Sequence, residues 1–161
     1  MRAIRRRVLL ALLLALAAAA PAAGESSAAL SVGGLVKSPR SFTLAELQAL
    51  PWTTREAAVA TARGPGHATW LGVALWTLLD QSGGVAVPAA EFARHNVIVT
   101  GRDGHAVTLS LAAVAPGGGA HALVAWSRDG RPFDPRRGLR LVVPGDPRNR
   151  DVRDVVEIEV N

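Results

Sequence analysis

Leucine residues recur every three or four positions in two segments of the first half of the chain, 44–50 and 74–82. This spacing predicts two short amphipathic helices, each with one apolar side. Thr43 and Glu46 have the spacing of a capping box at the start of the first helix, and Gly83 is suited to end the second. The helical part of the fold is therefore predicted to be small and early in the chain.

Apolar and polar residues alternate in the second half, which predicts strands rather than helices. Residues 96–101 and 105–111 flank Arg102-Asp103-Gly104 and predict a β-hairpin. A second Arg-Asp-Gly turn is predicted at 128–130, and Gly-Pro-Gly predicts a loop at 63–67. Further strands are predicted at 30–36, 56–62, 122–127, 139–143 and 155–160.

The last of these strands alternates most regularly. Val156, Ile158 and Val160 are predicted to face the core, and Glu157 and Glu159 to face water. Two short helices precede several antiparallel strands, and no repeat or domain linker separates them. The chain is therefore predicted to form a single α+β domain with a mixed, mainly antiparallel β core and a few short helices.

The first 24 residues differ in composition and are predicted to be a signal peptide rather than part of the fold. Arginines at 5–7 precede an apolar run at 8–20 that is too short for a stable membrane span. Cleavage after Ala22 or Gly24 fits the small residues that follow. The arginines also fit a twin-arginine signal, so export by that route or by general secretion is expected. The domain is then 25–161, periplasmic or secreted, with a membrane contact only if the leader is uncleaved.

Removal of the leader changes the charge balance. The whole chain has 18 Lys and Arg residues against 13 Asp and Glu, and the leader holds four of the basic residues and none of the acidic ones. The domain therefore has 14 basic and 13 acidic residues, a balance that does not favour nucleic acid as a partner. Eight of those 14 lie between Arg128 and Arg153, so the positive charge is concentrated near the C-terminus.

The absence of cysteine excludes disulfides, thiol nucleophiles and thiolate metal ligands. The four histidines, at positions 67, 95, 105 and 121, have no paired spacing, so no metal site is predicted from them. A G-x-S-x-G turn and a P-loop are also missing. The sequence therefore predicts neither a serine hydrolase nor a nucleotide-binding loop.

The C-terminal arginines carry the clearest candidate chemistry. Planar guanidinium groups suit phosphate oxygens, and a Pro-Gly corner at 144–145 can add backbone N–H groups. The alternative is that Asp146, Asp151 and Asp154 use this charge in surface ion pairs, which contribute little. Composition leaves both interpretations open. The arginines on these two strands and their corner are Arg136, Arg137, Arg140, Arg148, Arg150 and Arg153.

Four segments, in order along the chain, resemble the molybdopterin-binding domain of the sulfite oxidase family. "SVGGLVKSPRSFTLAELQALP" is similar to that domain's opening strand, turn and helix, and "TWLGVALWTLLDQSG" to its W-x-G-V-x-L-x-x-L-L motif. "DGRPFDPRRGLRLVVPGD" and "RDVRDVVEIEV" are similar to its G-x-P-L-R-L-V-V-P-G motif and its closing strand. The resemblance covers about 30–160 and implies an α+β fold with a mixed, largely β core.

This resemblance also implies a site for molybdopterin, in which basic and polar side chains hold the phosphate. Arg150 and Arg153 match an Arg and a Lys of the family's closing segment, and Arg137 takes the position of a His. With Arg63 and His67 from the loop after the second predicted strand, these arginines are expected to form a concave basic patch.

One departure from the family concerns the metal. In catalytic members a cysteine binds molybdenum, and the resemblance places it near 60–62, where this chain has Ala-Thr-Ala. Alanine cannot bind a metal, and threonine is a poor ligand for a soft, sulfur-rich centre. Molybdopterin stays a candidate cofactor, but ordinary molybdenum redox catalysis is not expected and molybdenum ligation is doubtful.

Three functions stay open at this stage. In the first, the chain is an exported molybdopterin-binding-like domain without ordinary molybdenum chemistry. In the second, it is an oxidoreductase whose metal is bound by a ligand other than cysteine. The third alternative is a non-enzymatic periplasmic module that binds a small anion or a protein partner. An electron-transfer protein or another periplasmic protein is a candidate partner.

Overall fold

The protein is described by a computed structural model that covers residues 29–134, 137–146 and 150–161. The predicted leader and two arginines of the basic cluster, Arg136 and Arg148, lie outside these residues. The strands are β1 (Leu30–Gly34), β2 (Arg40–Phe42), β3 (Trp52–Thr61), β4 (Gly64–Ala74), β5 (Asn96–Gly101), β6 (Ala106–Ser110), β7 (Leu123–Arg128), β8 (Arg131–Pro132), β9 (Leu139–Val142) and β10 (Val152–Val160). The helices are α1 (Leu44–Ala49), α2 (Leu75–Gln81), α3 (Leu111–Val114) and a 3₁₀ helix at Ala89–Arg94.

All of these strands belong to one sheet. Its main path runs β2-β1-β10-β9-β7-β4-β3, while β5 pairs with β10 and β6, and β8 pairs with β7. Strands β1 and β10 run parallel. The other pairings in the described ranges are antiparallel. The predicted α+β fold with a mixed, mainly antiparallel core is therefore confirmed.

Apolar residues are buried on both faces of the central strands. Neighbouring residues of a strand point to opposite faces, so Val124 and Leu141 belong to the main core. The next residues along, Ala125 and Val142, belong to a smaller cluster on the other face. The main core also packs against the helices. The smaller cluster consists of Ala57, Ala68, Trp70, Leu123, Ala125 and Val142.

The two predicted helices are present, and α1 has the predicted capping box. The hydroxyl of Thr43 accepts from the Glu46 N–H at 3.2 Å, and the Glu46 carboxylate accepts from the Thr43 N–H at 2.7 Å. Gly83, just after α2, has the expected left-handed backbone with φ of 78°. The 3₁₀ helix and α3 lie in alanine-rich segments without a clear apolar period and were not predicted. None of the helices in the described ranges is long and apolar enough to span a membrane.

The predicted loop at 63–67 is wrong, because most of it belongs to a strand. Gly64 pairs with Thr61 and His67 with Ala58, so β3 and β4 continue as a hairpin. Strand β7 pairs with β4 only from Trp70 onward. The outer edge of β4 is therefore unpaired at Pro65, and the missing N–H of a proline is tolerated at such an edge.

The predicted alternation in β10 is wrong at one position. Val155 is 1% exposed, whereas Val156 is only partly buried. The pairing of β10 with β5 shifts register between Val155 and Glu157, which moves the buried position by one residue. Asp154, at the neighbouring irregularity with β9, has a left-handed backbone with φ of 50°. Ile158, Val160, Glu157 and Glu159 lie as predicted.

Candidate anion-binding site

Three neighbouring strands each present an arginine on the face that carries the smaller cluster. Residues directly opposite each other in an antiparallel pair point to the same face. Arg140 of β9 lies opposite Ala125 of β7, and Arg153 of β10 lies opposite Arg140. Arg128 of β7 lies opposite Trp70 of β4. The sheet therefore brings Arg128, Arg140 and Arg153 to one surface.

The pairing of Arg140 with Arg153 places two like charges directly opposite each other. Such a pair destabilises a sheet by up to about 1 kcal/mol. Asp151 compensates only one of the two, since its carboxylate accepts from Arg140 Nε at 3.0 Å. Arg153 is exposed and makes no ion pair with the carboxylates of the described residues. A bound anion would relieve the remaining repulsion.

The first of two cavities on this surface, which we call the arginine cavity, has a volume of about 1000 Å³. It contains five arginines against three aspartates. Arg131, Arg137 and Arg153 have no ion pair within the described ranges. Phe133 and Leu139 add apolar surface. The cavity is lined by Arg128, Asp129, Arg131, Pro132, Phe133, Asp134, Arg137, Gly138, Leu139, Arg140, Arg153 and Asp154.

A smaller cavity, which we call the alanine pocket, has a volume of about 230 Å³. Arg128, Arg140 and Arg153 line both cavities, so the two are adjacent. The remaining residues of the alanine pocket are Ala57, Ala58, Val59, Ala60, Trp70, Val142, Val143, Gly145, Asp146, Arg150 and Asp151.

Trp70 lines the alanine pocket and is also a core residue. It is 2% exposed and packs in the smaller cluster. The guanidinium carbons of Arg140 and Arg128 lie 5.1 Å and 5.6 Å from its ring centroid, and the Phe133 ring meets it edge-on at 6.1 Å. The indole Nε1 has no hydrogen-bond partner among the described residues.

Three of the five predicted site residues lie on this surface. Arg137 and Arg153 line the arginine cavity, and Arg150 and Arg153 line the alanine pocket. Arg150 is held in place by the carboxylate of Asp146, at 2.8 Å from Nε, and by the carbonyl of Thr108, at 3.2 Å from Nη1.

The structure does not bring the other two predicted residues, Arg63 and His67, to either cavity. Both are exposed. Arg63 lies in the turn between β3 and β4. His67 is next to Ala68 in β4, and alternation along the strand directs it to the face opposite Ala68 and Trp70.

Three arginines of this surface were not among the five predicted site residues, although Arg140 was one of the arginines for which anion binding was considered. Arg128 and Arg131 flank a turn, where charged residues are ordinary. Arg140 does carry a signal, because it interrupts the apolar run of β9 between Leu139 and Leu141. A charged residue at that position of a central strand indicates a second face that is not fully covered.

Comparison with known families gives one decisive match. The model of the family described as "Oxidoreductase molybdopterin binding domain" matches residues 17–161. The chain belongs to this family. A crystal structure of the sulfane dehydrogenase SoxCD from Paracoccus pantotrophus shares its fold, with a TM-score of 0.66 and 23% sequence identity. The match covers 81% of this chain and 37% of that one. The comparison with curated proteins gives no significant match.

Family membership raises the question of whether these residues suit molybdopterin and its metal. The arginine cavity suits the phosphate of the pterin, because three of its guanidinium groups have no ion pair among the residues that the structure describes. The alanine pocket does not supply a thiolate, since none of the 161 residues is cysteine. In the described ranges, no group of three or more His, Asp and Glu side chains is suited to hold a metal ion. The cavities thus suit the anionic part of the cofactor and lack the metal ligand implied by the resemblance.

Thr61 is the closest candidate for a replacement ligand, and its hydroxyl is already occupied. Oγ1 donates to the Gly64 carbonyl at 2.7 Å and accepts from the Arg63 N–H at 3.2 Å. Both bonds close the turn of the β3–β4 hairpin. A neutral hydroxyl in this role is a poor ligand for a soft metal centre.

Proposed function

We propose that this protein is an exported molybdopterin-binding-like domain that holds the anionic part of a pterin in the arginine cavity. The observation that carries the proposal is the pairing of Arg140 with Arg153 across β9 and β10. Two arginines directly opposite each other, of which only Arg140 has a carboxylate partner in the described ranges, are unfavourable without an anion and favourable with one. Bound pterin would supply a phosphate for these groups and, with molybdenum, a sulfur-rich redox centre.

The remaining surface of the cavity supports a ligand larger than a free phosphate. A volume of about 1000 Å³ is at the upper end of the range for small-molecule sites, roughly 300 to 1000 Å³. Phe133 and Leu139 offer apolar contact to a flat ring, while Arg131 and Arg137 offer charge at the rim. We therefore assign phosphate binding to Arg137 and Arg153 and ring contact to Phe133.

We further propose that the domain does not carry out ordinary molybdenum redox chemistry. The absence of cysteine supports this, as does the use of the Thr61 hydroxyl within its own hairpin turn. The domain then acts through binding: it orients the pterin or presents it to a periplasmic protein partner. Location in the periplasm or outside the cell rests on the predicted leader at 1–24.

The proposal is tested on protein purified from its native host, by elemental analysis for molybdenum and by pterin fluorescence. We expect pterin at substantial occupancy and molybdenum well below it. Arg137→Ala should weaken pterin binding at least tenfold and thereby lower pterin occupancy, because a charge-assisted bond contributes roughly 1.5 to 3 kcal/mol. Arg63→Ala removes an equally exposed arginine that lies outside both cavities, and it should leave occupancy unchanged.

Two results would contradict parts of this proposal. Molybdenum and pterin in equal amounts, together with oxidoreductase activity, would show that the metal is bound without cysteine. The absence of both would favour the alternative function, a non-enzymatic module that binds a small anion or a protein partner through the same arginines. The guanidinium groups of Arg131, Arg137 and Arg153 have no ion pair in the part of the chain that the structure describes, and they support that alternative equally well.

A further inference from the structure

The alanine pocket shares Arg128, Arg140 and Arg153 with the arginine cavity, and it has further features of a ligand site of its own. Four arginines and two aspartates line it, which leaves an excess of two positive charges. The aspartates are engaged, since Asp151 accepts from Arg140 and Asp146 accepts from Arg150. Arg153 has no ion pair among the described residues. The polar side of the pocket thus offers hydrogen-bond donors, and its carboxylate acceptors are used.

Trp70 adds another donor to the same side. Its indole N–H is buried without a hydrogen-bond partner among the described residues, which is unfavourable for a donor. The groups over the ring are the guanidiniums of Arg128 and Arg140, which cannot accept a hydrogen bond. These side chains are 48% and 25% exposed, so a ligand that binds them lies next to the Trp70 ring. The group missing from this arrangement is an oxygen acceptor.

Part of the pocket wall is apolar. Ala57 and Val142 are buried in the smaller cluster, Val59 packs against that cluster, and Val143 also lines the pocket. A ligand that fits both the charged and the apolar parts of the wall has an anionic head and a short hydrocarbon tail. The volume of about 230 Å³ equals roughly seven or eight water molecules at about 30 Å³ each. That limits the ligand to about eight non-hydrogen atoms.

We propose that the alanine pocket binds a short-chain monocarboxylate of about four to six carbons. The carboxylate bonds to Arg153 and to the Trp70 indole N–H, and the alkyl chain lies against Ala57, Val59 and Val142. This site goes beyond the pterin site proposed above, because Trp70 and the apolar wall line the smaller cavity alone.

The test uses the full chain labelled with ¹⁵N-tryptophan, which gives one indole N–H signal for each of four tryptophans. Trp70→Phe assigns the relevant signal. Acetate, butanoate, hexanoate and octanoate are titrated in turn, with sodium sulfate as a separate arm. We expect a saturable downfield shift of the Trp70 signal and an affinity that rises roughly fourfold per added methylene up to hexanoate. Octanoate should bind no better than hexanoate, because the pocket is full.

The Trp52 side chain is an internal control, since that residue is 59% exposed and far along β3 from the pocket. Its signal should not move. Val59→Phe fills the apolar side and should abolish the response to hexanoate at the Trp70 signal. Sulfate that shifts Trp70 as strongly as hexanoate, or an affinity independent of chain length, would overturn the carboxylate assignment. A Trp70 signal that no carboxylate moves would overturn the site itself.

These outcomes are separable from those for the pterin. Arg137 lines only the arginine cavity, so Arg137→Ala should reduce pterin occupancy and keep the hexanoate response. Normal pterin binding together with a Trp70 signal that no carboxylate shifts would reject the carboxylate site and leave the pterin site standing. A responsive Trp70 signal in protein that never contains pterin would reject the pterin site alone.

Discussion

Gly138 is the glycine at the rim of the arginine cavity, next to Arg137. Its φ is +60°, and a Cβ at this position would lie 2.1 Å from Asp154 Oδ1. The left-handed backbone costs a non-glycine residue roughly 1 to 2 kcal/mol. The Asp154 carboxylate would also have to move, which disturbs its exposed ion pair with Arg102, an interaction of about 0 to 1 kcal/mol. Gly138→Ala should therefore lower the free energy of unfolding by about 1 to 3 kcal/mol in urea titration.

Gly130→Ala is the matched control for that experiment. Gly130 has φ of +74°, and nothing lies within 4 Å of its ideal Cβ. The control should show only the backbone cost of roughly 1 to 2 kcal/mol. Equal losses in the two variants would contradict the argument that Asp154 requires a glycine at 138.

Residue types could be read from the sequence more reliably than residue directions. The cluster of arginines near the C-terminus and the lack of cysteine were evident from the sequence. Whether a side chain faces the cavity depends on strand register. His67 is next to Ala68 in β4, so its side chain points to the face opposite that of Ala68 and Trp70. The register shifts on either side of Val155 could not be predicted either, because the alternation of apolar and polar residues in the sequence does not indicate them.

At the scale of single elements, the cap of α1 gives a pH-dependent contribution to stability. Hydrogen bonds from the backbone N–H and then the hydroxyl of Thr43 lower the pKa of Glu46 below its usual value of 4.5, with Arg40 adding to the effect. A lowered folded-state pKa means that the stabilisation is present above the unfolded pKa and is lost as pH falls through the folded one. Glu46→Gln keeps a capping side chain and removes the titration.

Wild type should therefore be more stable than Glu46→Gln at pH 7, and the difference should shrink toward zero as pH falls from about 5 to 3. Urea titrations of both proteins at several pH values measure this difference. A difference that stays constant over the range would show that the charge of Glu46 does not matter to the cap.

The outer half of the β3–β4 hairpin is expected to open more readily than the inner half. Residues 58–61 and 64–67 pair only with each other, whereas β4 gains β7 as a second neighbour from Trp70 onward. An isolated two-stranded ribbon is marginally stable in water. Amide hydrogens of the outer half should exchange at least tenfold faster than those of 70–74, as measured by mass spectrometry or NMR. Equal protection would mean that a further contact stabilises the tip.

Elements with strong local signals were predicted well from the sequence. The capping box located α1, the leucine spacing located α2, and Arg-Asp-Gly located two hairpin turns. The β3–β4 hairpin was missed because Gly-Pro-Gly is normally a loop signal. Its strand character comes from pairing with Ala58 to Thr61, and a local pattern does not report such pairing.

At the scale of the whole molecule, the sheet has a large core on one face and a small one on the other. Leu141 belongs to the main core and Leu123 to the smaller cluster, and both are fully buried. Replacement of a buried leucine by alanine costs about 2 to 5 kcal/mol, depending on how far the site can collapse. Leu141→Ala should therefore fall near the upper end of this range.

Leu123→Ala, in the same type of experiment, should fall near the lower end, because the smaller cluster borders an open cavity and can relax. Urea titration of both variants gives the comparison. Equal costs would indicate that the face with the arginines is packed as rigidly as the main core, and would weaken the case for an adaptable binding surface.

The parallel pairing of β1 with β10 has a consequence for biosynthesis. β10 also pairs with β5 and β9, so the centre of the sheet comes from the last strand of this domain. Ribosomes add about 5 to 20 residues per second, so β1 waits for several seconds before its neighbour has been made. Throughout that interval the edge of β1 that pairs with β10 is accessible to chaperones. The order of the strands therefore prevents completion of the sheet until β10 has been made.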